Sequence, residues 1–566
     1  MNKSNTSPFS RFWSLLKPDS AEIRNVYVFA IFSGLLSLVL PLGIQAIINF
    51  VQAGEVSTSW LVLVVLVVLA IAFSGLMTIA QMRITENLQQ RIFVRSAFEF
   101  ANRIQGFKMS VLLKKYAPEL SNRFFDTLTI QKGISKLLID FTAATLQIVF
   151  GLILLSFYHS FFIFFGLSLV LLLLGLLKLT AKKGFDSSLK ESNYKYKLAH
   201  WLQEMARTHF TFKSAGNTEL GLNKTDSLLQ KYLSARNQHF KVLVQQYGFL
   251  IAFKVLIALS LLIIGGLLVI NQSMNIGQFV AAEIIILLVL SSVEKLIVSL
   301  EVVYDVFTAV EKIGQVTDLE LESIDGILLD DENKGLEVAF KEVSFTSEIY
   351  NQPILNNVSF SVQSGEKIAL ISDSSVTVNV VLSLIEGIFT AETGSISINQ
   401  IPISNLNLQD LRGKTGNFMM QDKMIYGTVL ENISLGRTDV SFNEIQKSCE
   451  LLGLSAMISN FSEGYETVLN PDMNFIPKSV AKTILLTRCF LDKPSMYLLE
   501  NPTSSLSNEQ VEKFVNVIKS QTKTTAVFSS EDKRMLAIAD KIIVFKEGKI
   551  CFEGSYELYN EKFTKC

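Results

Sequence analysis

The chain has 566 residues, 49% of them hydrophobic, and a formal net charge of −1 at pH 7. This length argues against a single domain, and the mean hydropathy of +0.36 is too high for an ordinary soluble protein and indicates a membrane portion. The near-neutral charge gives no indication of a nucleic-acid partner.

The predicted membrane portion lies before residue 300. Its apolar segments are long enough to cross a bilayer and predict about six spans, because the Thr145–Thr180 run is too long for one helix and is interrupted at Tyr158–Ser160. The remaining predicted spans are Val26–Phe50, Ser57–Gln81, Phe249–Ile270 and Ile276–Val293.

The distribution of lysine and arginine predicts the topology. Arg83–Lys136 and Lys182–Lys241 are rich in both residues, whereas the short connections between spans carry none. By the positive-inside rule, the two long stretches and the N-terminus are cytoplasmic. The apolar spacing of Arg83–Arg103 is helical, so we expect the second span to continue beyond the membrane as one helix. The first twenty residues predict no cleavable signal peptide.

Two ionisable residues fall inside predicted spans, where charge is costly and usually functional. Lys254 is close enough to the inner side for its ammonium to reach the interface, which is the interpretation we favour. Glu283 lies about two turns into the last span. It is a candidate for lining a substrate path, and the alternative is a buried pair with a polar residue on a neighbouring helix.

A charged linker at residues 319–334 separates the membrane portion, residues 1–318, from an α/β domain at residues 335–566. The four cysteines, Cys449, Cys489, Cys551 and Cys566, are widely spaced and have no metal-ligand pattern. We therefore expect reduced thiols facing a cytosol and no metal site. A strand at Lys367–Ile371, a short loop and an apolar helix open the central part of the domain, and a second buried strand is predicted at Met496–Leu499.

Five segments in a fixed order resemble the ATP-binding cassette of ABC transporters of the exporter type. They read GLEVAFKEVSF, ILNNVSFSVQSGEKIAL, GSISINQIPI, LRGKTGNFMMQDKMIYGTVLENISLG and ADKIIVFKEGKICFEG. The third and fourth follow the helix after Lys367–Ile371. The resemblance covers the whole of residues 335–566 and implies a cassette fold, with Gln421 at the position of the family's Q-loop glutamine.

The membrane portion resembles the exporter-type transmembrane domain, in which turns at the ends of two long helical excursions press on the cassette. We expect these turns near Phe107–Tyr116 and Thr208–Gly216. The stretch LPLGIQAIINFV at Leu40–Val51 is similar to the first span of type I secretion and bacteriocin-export transporters. That similarity implies a bacterial inner-membrane protein with a periplasmic adaptor as partner. We expect no leader peptidase domain.

The phosphate-binding motif of the family, G-x-x-x-x-G-K-[ST], is replaced at all its defining positions. Ser372 and Thr377 stand for the two glycines, Val378 for the lysine and Asn379 for the magnesium-binding hydroxyl. A Cβ at Thr377 and Val378 is expected to strain a loop built for glycine. Without the lysine and the hydroxyl, we expect at most weak binding of ATP and Mg²⁺.

The other catalytic positions differ from the family in the same way. Glu500 and Asn501 occupy the Asp-Glu positions after the second buried strand, and an amide cannot act as general base. Ser530 occupies the switch-histidine position and cannot carry a positive charge. The signature LSGGQ is represented by Ile476, Pro477, Lys478, Ser479 and Val480. Of these positions Gln421 alone is retained, so the resemblance implies no catalytic residue.

The resemblance implies head-to-tail pairs of cassettes, each ATP lying between one phosphate loop and the opposite signature. This chain has lost both halves of such a site. Three hypotheses follow: a membrane dimer without ATP hydrolysis, a half-transporter paired with an ATP-competent chain that exports a peptide, protein or lipid-like substrate, and a membrane scaffold that transports nothing. Homodimer and heterodimer both remain open.

Overall fold

The computed structural model describes residues 7–52, 58–113, 115–330, 334–347, 352–471 and 476–563. The chain divides into two compact units. The helical unit comprises Met1–Phe107 and Val111–Glu320, and the α/β unit comprises Lys108–Ser110 and Leu321–Cys566. The predicted linker at 319–334 begins at this division, and its residues 331–333 lie outside the described residues.

The described residues before 320 are helical almost throughout. The helices are α1 (Pro8–Leu16), α2 (Ser20–Ser37), α3 (Val39–Gln52), α4 (Thr58–Gly106), α5 (Met109–Leu112), α6 (Ala117–Asn122), α7 (Asp126–Lys136), α8 (Thr142–Ser156), α9 (Phe161–Arg207), α10 (His209–Ser214), α11 (Leu220–Ser260), α12 (Gly266–Ile270) and α13 (Ile276–Thr317). Single π-helical turns at Leu137–Phe141 and Leu261–Gly265 join α7 to α8 and α11 to α12.

Within the described residues, six helical segments are long and apolar enough to cross a membrane, which confirms the predicted number of spans. The split at Tyr158–Ser160 is confirmed as the break between α8 and α9. Helix α4 runs without interruption for 49 residues, as the spacing of Arg83–Arg103 predicts. The long helices α4 and α9 end at Gly106 and Arg207, close to the two expected turns.

The first span bends at one residue, Leu38, which separates α2 from α3. Pro41 has no backbone N–H, and its ring occupies the space needed by the carbonyl four residues earlier. That carbonyl belongs to Ser37, the last residue of α2. The bend therefore follows from one proline.

Helix α13 is the central element of the helical unit and packs against α3, α7, α8 and α9. Half of the residues in its most apolar stretch are buried. Gly133 allows α7 to approach α13 closely. A Cβ added at Gly133 would lie 2.0 Å from Cγ2 of Val306 on α13. Small residues at such contacts let helix backbones approach in a membrane, where lipid provides no hydrophobic drive for association.

Polar side chains join the spanning helices in pairs. Gln246 on α11 donates to Oγ1 of Thr180 on α9 and to the hydroxyl of Tyr304 on α13, each at 2.7 Å. Lys254 pairs with the carboxylate of Glu294 on α13. The predicted snorkelling of Lys254 did not anticipate this partner, because pairing depends on how α11 and α13 are placed side by side.

The α/β unit contains two main sheets among its described residues. An antiparallel sheet has the order β2-β1-β4-β5 and a six-stranded sheet the order β12-β11-β3-β10-β9-β6. The strands are β1 (Val338–Thr346), β2 (Pro353–Val362), β3 (Lys367–Ser372), β4 (Thr393–Ile398), β5 (Ile401–Pro402), β6 (Thr415–Phe418), β7 (Gly427–Thr428), β8 (Val468–Leu469), β9 (Met496–Glu500), β10 (Thr525–Ser529), β11 (Lys541–Lys546) and β12 (Lys549–Gly554).

The helices of the α/β unit cover the six-stranded sheet and form a second, smaller hydrophobic core beside it. They are α14 (Ser375–Ile385), α15 (Leu408–Gly413), α16 (Val429–Ser434), α17 (Phe442–Leu451), α18 (Leu454–Ile458), α19 (Lys478–Arg488), α20 (Asn508–Ser520), α21 (Lys533–Leu536) and α22 (Tyr556–Phe563). Strands β3, β9, β10 and β11 are almost continuously apolar, as expected for parallel strands buried on both faces. The predicted class, a six-span helical domain fused to an α/β domain, is confirmed.

Cys449 and Cys489 are buried free thiols and Cys551 is an exposed one. Cys566 lies outside the described residues.

Candidate functional site

The candidate site lies at the carboxyl edge of the six-stranded sheet. Strands β3, β10, β9 and β6 are parallel neighbours, so their last residues meet at one edge. In open α/β sheets, ligands bind outside this edge. Ser372, Glu500 and Ser529 end three of these strands.

The segment expected to form a phosphate loop is mostly helix. Two residues, Asp373 and Ser374, separate β3 from α14. None of residues 372–379 has a positive φ, and the amide of Thr377 donates to the carbonyl of Ser374 at 3.1 Å. The strain expected at Thr377 and Val378 is therefore wrong: residues with a Cβ take up right-handed helix, which suits them, instead of a nest of left-handed residues.

Both of these side chains are buried. Thr377 and Val378 are each 4% exposed, and Val378 packs in the core between the two sheets. The position that would present a lysine to phosphate thus contributes to the hydrophobic core. Ser372 turns its hydroxyl to its own neighbours, accepting from the amide of Ser374 at 3.1 Å.

The structure brings two of the predicted residues, Asn379 and Glu500, into direct contact. Nδ2 of Asn379 donates to Oε2 of Glu500 at 2.9 Å. The same oxygen accepts from the backbone amide of Met420, also at 2.9 Å. Glu500 is 5% exposed. One carboxylate therefore links α14, the end of β9 and the segment after β6, and its partner Asn379 stands at the position of the family's magnesium-binding hydroxyl.

Asn501 and Ser530 lie on the two strand ends beside this contact. The amide of Asn501 donates to the Ser529 carbonyl at 3.1 Å, and its φ of +46° is one an asparagine tolerates. The Ser530 hydroxyl forms a 2.9 Å hydrogen bond with the hydroxyl of Thr503 and accepts from the amide of Asp532 at 3.1 Å. The polar groups at this edge are thus bonded within the domain.

Lys482 on α19 is a further charged group at this edge, and sequence reasoning missed it. Its Nζ donates to the Asn501 carbonyl at 2.7 Å and to the hydroxyl of Ser504, and it lies 5.1 Å from the centre of the Phe418 ring. Burial lowers the pKa of Lys482 to about 8, although the charge of Glu500 opposes the shift. Helix α19 is buried nearly all round, so its apolar spacing could not single out this lysine.

A cavity of about 540 Å³ opens at the N-terminus of α14. Its described lining includes Asp373, Ser374, Thr377 and Glu547, and none of the described lining residues is basic. A helix N-terminus attracts anions, but here two carboxylates stand beside it. The arrangement disfavours a triphosphate.

The signature segment begins at the edge of the described residues, because 472–475 lie outside them. Pro477 is the residue before α19 and Lys478 is its first residue. Both are exposed, as is Gln421 in the turn after β6. Ile476, Ser479 and Val480 are half-buried. In the described part of the chain, neither Gln421 nor these residues hydrogen-bond to Asn379 or Glu500.

In the helical unit, Glu283 is half-buried on α13 and forms no hydrogen bond or ion pair with another described residue. The described residues also contain no group of three or more His, Cys, Asp or Glu placed to hold a metal ion.

Comparisons with known proteins agree with this architecture. Residues 23–293 match the family model for the ABC transporter transmembrane region. The chain is 30% identical over 223 residues to the uncharacterized ABC transporter ATP-binding protein YknV of Bacillus subtilis, covering 39% of this chain and 37% of that protein. It is 25% identical over 357 residues to the alpha-hemolysin translocation ATP-binding protein HlyB of Escherichia coli, covering 62% and 50%.

The matched segments span at most half the length of these relatives. A solved structure of a bacterial Atm1-family ABC exporter with ATP bound matches 96% of both chains, with a TM-score of 0.80 and 16% sequence identity. This likeness concerns the fold. The chain therefore has the fold of an ABC exporter, and the match to the ABC transporter transmembrane region lies within its helical unit.

Proposed function

We propose that this chain is an ABC exporter half-molecule that does not hydrolyse ATP and acts in an export or envelope complex of a bacterial inner membrane. The observation that carries the proposal is the hydrogen bond from Asn379 to Glu500. It joins the residues that stand where the family binds Mg²⁺, and the motif positions Val378 and Asn379 offer a phosphate neither a lysine nor a hydroxyl.

Phosphoryl transfer depends on positioned phosphate contacts, a metal and a group that orients the attacking water. At this edge the amide of Asn501 replaces the base, and the loop amides that would bind phosphate belong to a helix. The cavity at α14 adds two carboxylates, Asp373 and Glu547, to the face a nucleotide would approach. Each of these features lowers affinity for Mg-ATP or the rate of its hydrolysis.

The topology proposed for this protein has the N-terminus and the α/β unit in the cytoplasm, because the positive-inside rule assigns the lysine- and arginine-rich stretches to that side. The chain works as a dimer, either with itself or with another ABC chain. The match to HlyB, a translocation ATP-binding protein, supports a role in export. A periplasmic adaptor as partner is part of the proposal and follows from the similarity of Leu40–Val51 to type I secretion transporters. Membrane lipid surrounds the helical unit.

The test is phosphate release by the purified full chain in lipid nanodiscs with Mg-ATP. We expect none above that of protein-free nanodiscs. Glu500→Gln is the matched control, because it removes the carboxylate at nearly constant volume. Turnover that Glu500→Gln abolishes contradicts the proposal, whereas turnover that persists unchanged in this variant comes from a contaminating ATPase.

One observation favours the second candidate, a half-transporter that pairs with an ATP-competent chain. Lys478 is exposed at the first position of α19, where the helix dipole adds positive character. The described residues provide it with no ion pair. In a head-to-tail pair of cassettes this cation would face the partner's nucleotide.

Pairing is tested by co-expressing the chain with a cassette protein that has an intact phosphate loop. Under this second function, the two proteins co-purify and hydrolyse ATP, and Lys478→Glu lowers the turnover while co-purification persists. Lys493→Glu is the control, since Lys493 lies in the loop after α19. Loss of turnover in both variants would exclude a specific role for Lys478.

A further inference from the structure

An apolar groove runs along the junction of α1 and α2. It has a volume of about 820 Å³. From α1 and the connecting turn it is lined by Trp13 and Lys17, and from α2 by a stripe that includes Arg24, Tyr27 and Ile31. The α2 residues are spaced at three and four positions, so they share one helix face.

The groove has one charged end and one apolar end. Lys17 lies in the turn between α1 and α2, and Arg24 lies one turn into α2. Ile31 is seven residues further along, about 10 Å from Arg24. With the first span predicted to start at Val26, we expect the two cations at headgroup depth and Ile31 within the hydrocarbon. Trp13 and Tyr27 are of the types enriched at this boundary.

Within the described chain the two cations have no ion-pair partner, because the neighbouring acids pair with arginines of α4. The carboxylate of Asp19, which is 4% exposed, lies 3.2 Å from the guanidinium of Arg95 on α4. The carboxylate of Glu22 forms an ion pair with the guanidinium of Arg91 on α4 at 2.6 Å. Across the described residues, no hydrogen bond or ion pair engages the side chain of Lys17 or Arg24. The described lining of the groove therefore carries two positive charges and no negative charge.

The side chains along the groove are exposed although they are large and apolar. Trp13 is 47% exposed, Tyr27 is 40% and Ile31 is 42%. In an aqueous setting an apolar surface of this kind is unfavourable, whereas in a bilayer an acyl chain could cover it. A phosphodiester next to Lys17 and Arg24 would offset part of the positive charge at this end.

We propose that this groove is a binding site for one anionic phospholipid, with its phosphodiester between Lys17 and Arg24 and an acyl chain along Tyr27 and Ile31. Under the topology proposed above, the lipid comes from the cytoplasmic leaflet. The site lies in the helical unit and does not depend on whether the chain hydrolyses ATP.

The test uses native mass spectrometry of the full chain in micelles, titrated with phosphatidylglycerol or with phosphatidylcholine of the same acyl chains. The wild-type chain is expected to bind phosphatidylglycerol more tightly. The double variant Lys17→Gln and Arg24→Gln is expected to bind it about thirtyfold more weakly, from two basic residues near a membrane surface. Binding of phosphatidylcholine is expected to change little.

The matched control is Lys182→Gln with Lys183→Gln, which removes two exposed lysines of α9 outside the groove. It should retain the preference for phosphatidylglycerol. A groove variant that also retains the preference overturns the proposal. So does a control that loses it to the same extent, because the preference would then reflect overall charge.

A second measurement locates the lipid. Trp13 fluorescence, taken as the difference between wild type and Trp13→Phe, should be quenched more by brominated-chain phosphatidylglycerol than by brominated-chain phosphatidylcholine in bilayers. The groove variant should reduce quenching to the phosphatidylcholine level. Equal quenching of wild-type Trp13 by the two lipids would place the anionic lipid elsewhere and overturn the proposal.

Discussion

Val378 illustrates how a lost functional side chain becomes part of a core. It is 4% exposed and packs with residues of both sheets. Its helix starts at Ser375, inside the segment that the motif assigns to the phosphate loop. A lysine restored here would enter an apolar environment, so the position no longer stands apart from the packing around it.

We therefore expect Val378→Lys to destabilise the α/β unit by about 3 kcal/mol or more, because it buries an unpaired ammonium. We also expect it to restore no ATP turnover. Calorimetric melting of the full chain in detergent and phosphate release measure the two effects. Val376→Lys is the control, since Val376 lines the cavity and is half-buried, and it should cost less than about 1 kcal/mol. A stable, ATP-hydrolysing Val378→Lys variant would contradict this account.

Glu386, at the C-terminal end of α14, is a buried acid outside the candidate site. Burial raises the pKa of its carboxyl to about 7, although Arg412 and a hydrogen bond from Asn417 oppose the shift. The folded protein thus binds this proton more tightly than the unfolded chain, whose pKa is about 4.5. The resulting contribution to stability is largest below pH 4.5, falls as the pH rises to about 7, and is constant above that.

Glu386→Gln should remove this loss and raise stability at pH 8 by up to about 3 kcal/mol relative to wild type. Near pH 4.5 the two proteins should unfold at similar temperatures. The measurement is the calorimetric midpoint of the α/β unit across this pH range. Glu531→Gln, at an exposed position, is the control and should follow wild type. A constant difference between Glu386→Gln and wild type at every pH would show that the carboxyl does not titrate as inferred.

At the scale of elements, close helix contacts are the feature that apolar runs do not reveal. The approach of α7 to α13 depends on Gly133, where a Cβ would overlap Val306. Gly75 on α4 is exposed, and an added Cβ would meet no atom within 4 Å. Both glycines look alike in the sequence, since each stands in a helical segment without a turn signal.

Gly133→Ala should destabilise the helical unit by about 1–3 kcal/mol through overpacking. Val306→Ala in the same chain should recover part of the loss, because it removes the methyl group that overlaps the new Cβ. The fraction of monodisperse protein after heating in detergent measures the effect. Gly75→Ala should leave the monodisperse fraction unchanged or raise it slightly. Equal behaviour of Gly133→Ala and Gly75→Ala would contradict the close packing of α7 against α13.

Element order in the α/β unit was predictable because each segment carries its own local signal. The strands β3 and β9 appear where the apolar runs at Lys367 and Met496 indicate them, each one residue longer than predicted. The start of α14 was not predictable from the family pattern. Replacing glycines with residues that have a Cβ favours helix over loop, and this effect appears in the backbone and not in the motif alignment.

At the scale of the whole molecule, the proposed loss of nucleotide chemistry has a thermodynamic consequence. A ligand that binds the folded state at a hundred times its dissociation constant adds about 2.7 kcal/mol to stability. We expect millimolar Mg-ATP to leave the melting midpoint of the α/β unit unchanged. A shift of several degrees that Glu500→Gln abolishes would show that the Asn379–Glu500 edge binds nucleotide.

Several properties of this protein are determined by its sequence alone. Bilayer thickness and the cost of burying charge make six long apolar runs sufficient to predict six spans. Likewise, the sequence alone shows that motif position 378 is not a lysine and that motif position 501 is not an acid. These inferences need no knowledge of distant contacts.

Contacts between residues far apart in the chain were decided by the tertiary structure. Asn379 and Glu500 are 121 residues apart, and Lys254 and Glu294 are 40 apart. Among the described residues Lys17 and Arg24 have no ion-pair partner, because residues of α4 pair with the acids beside them. Hydrogen bonds and ion pairs act over a few ångströms, so a linear pattern can place such groups on elements but cannot tell which of them meet.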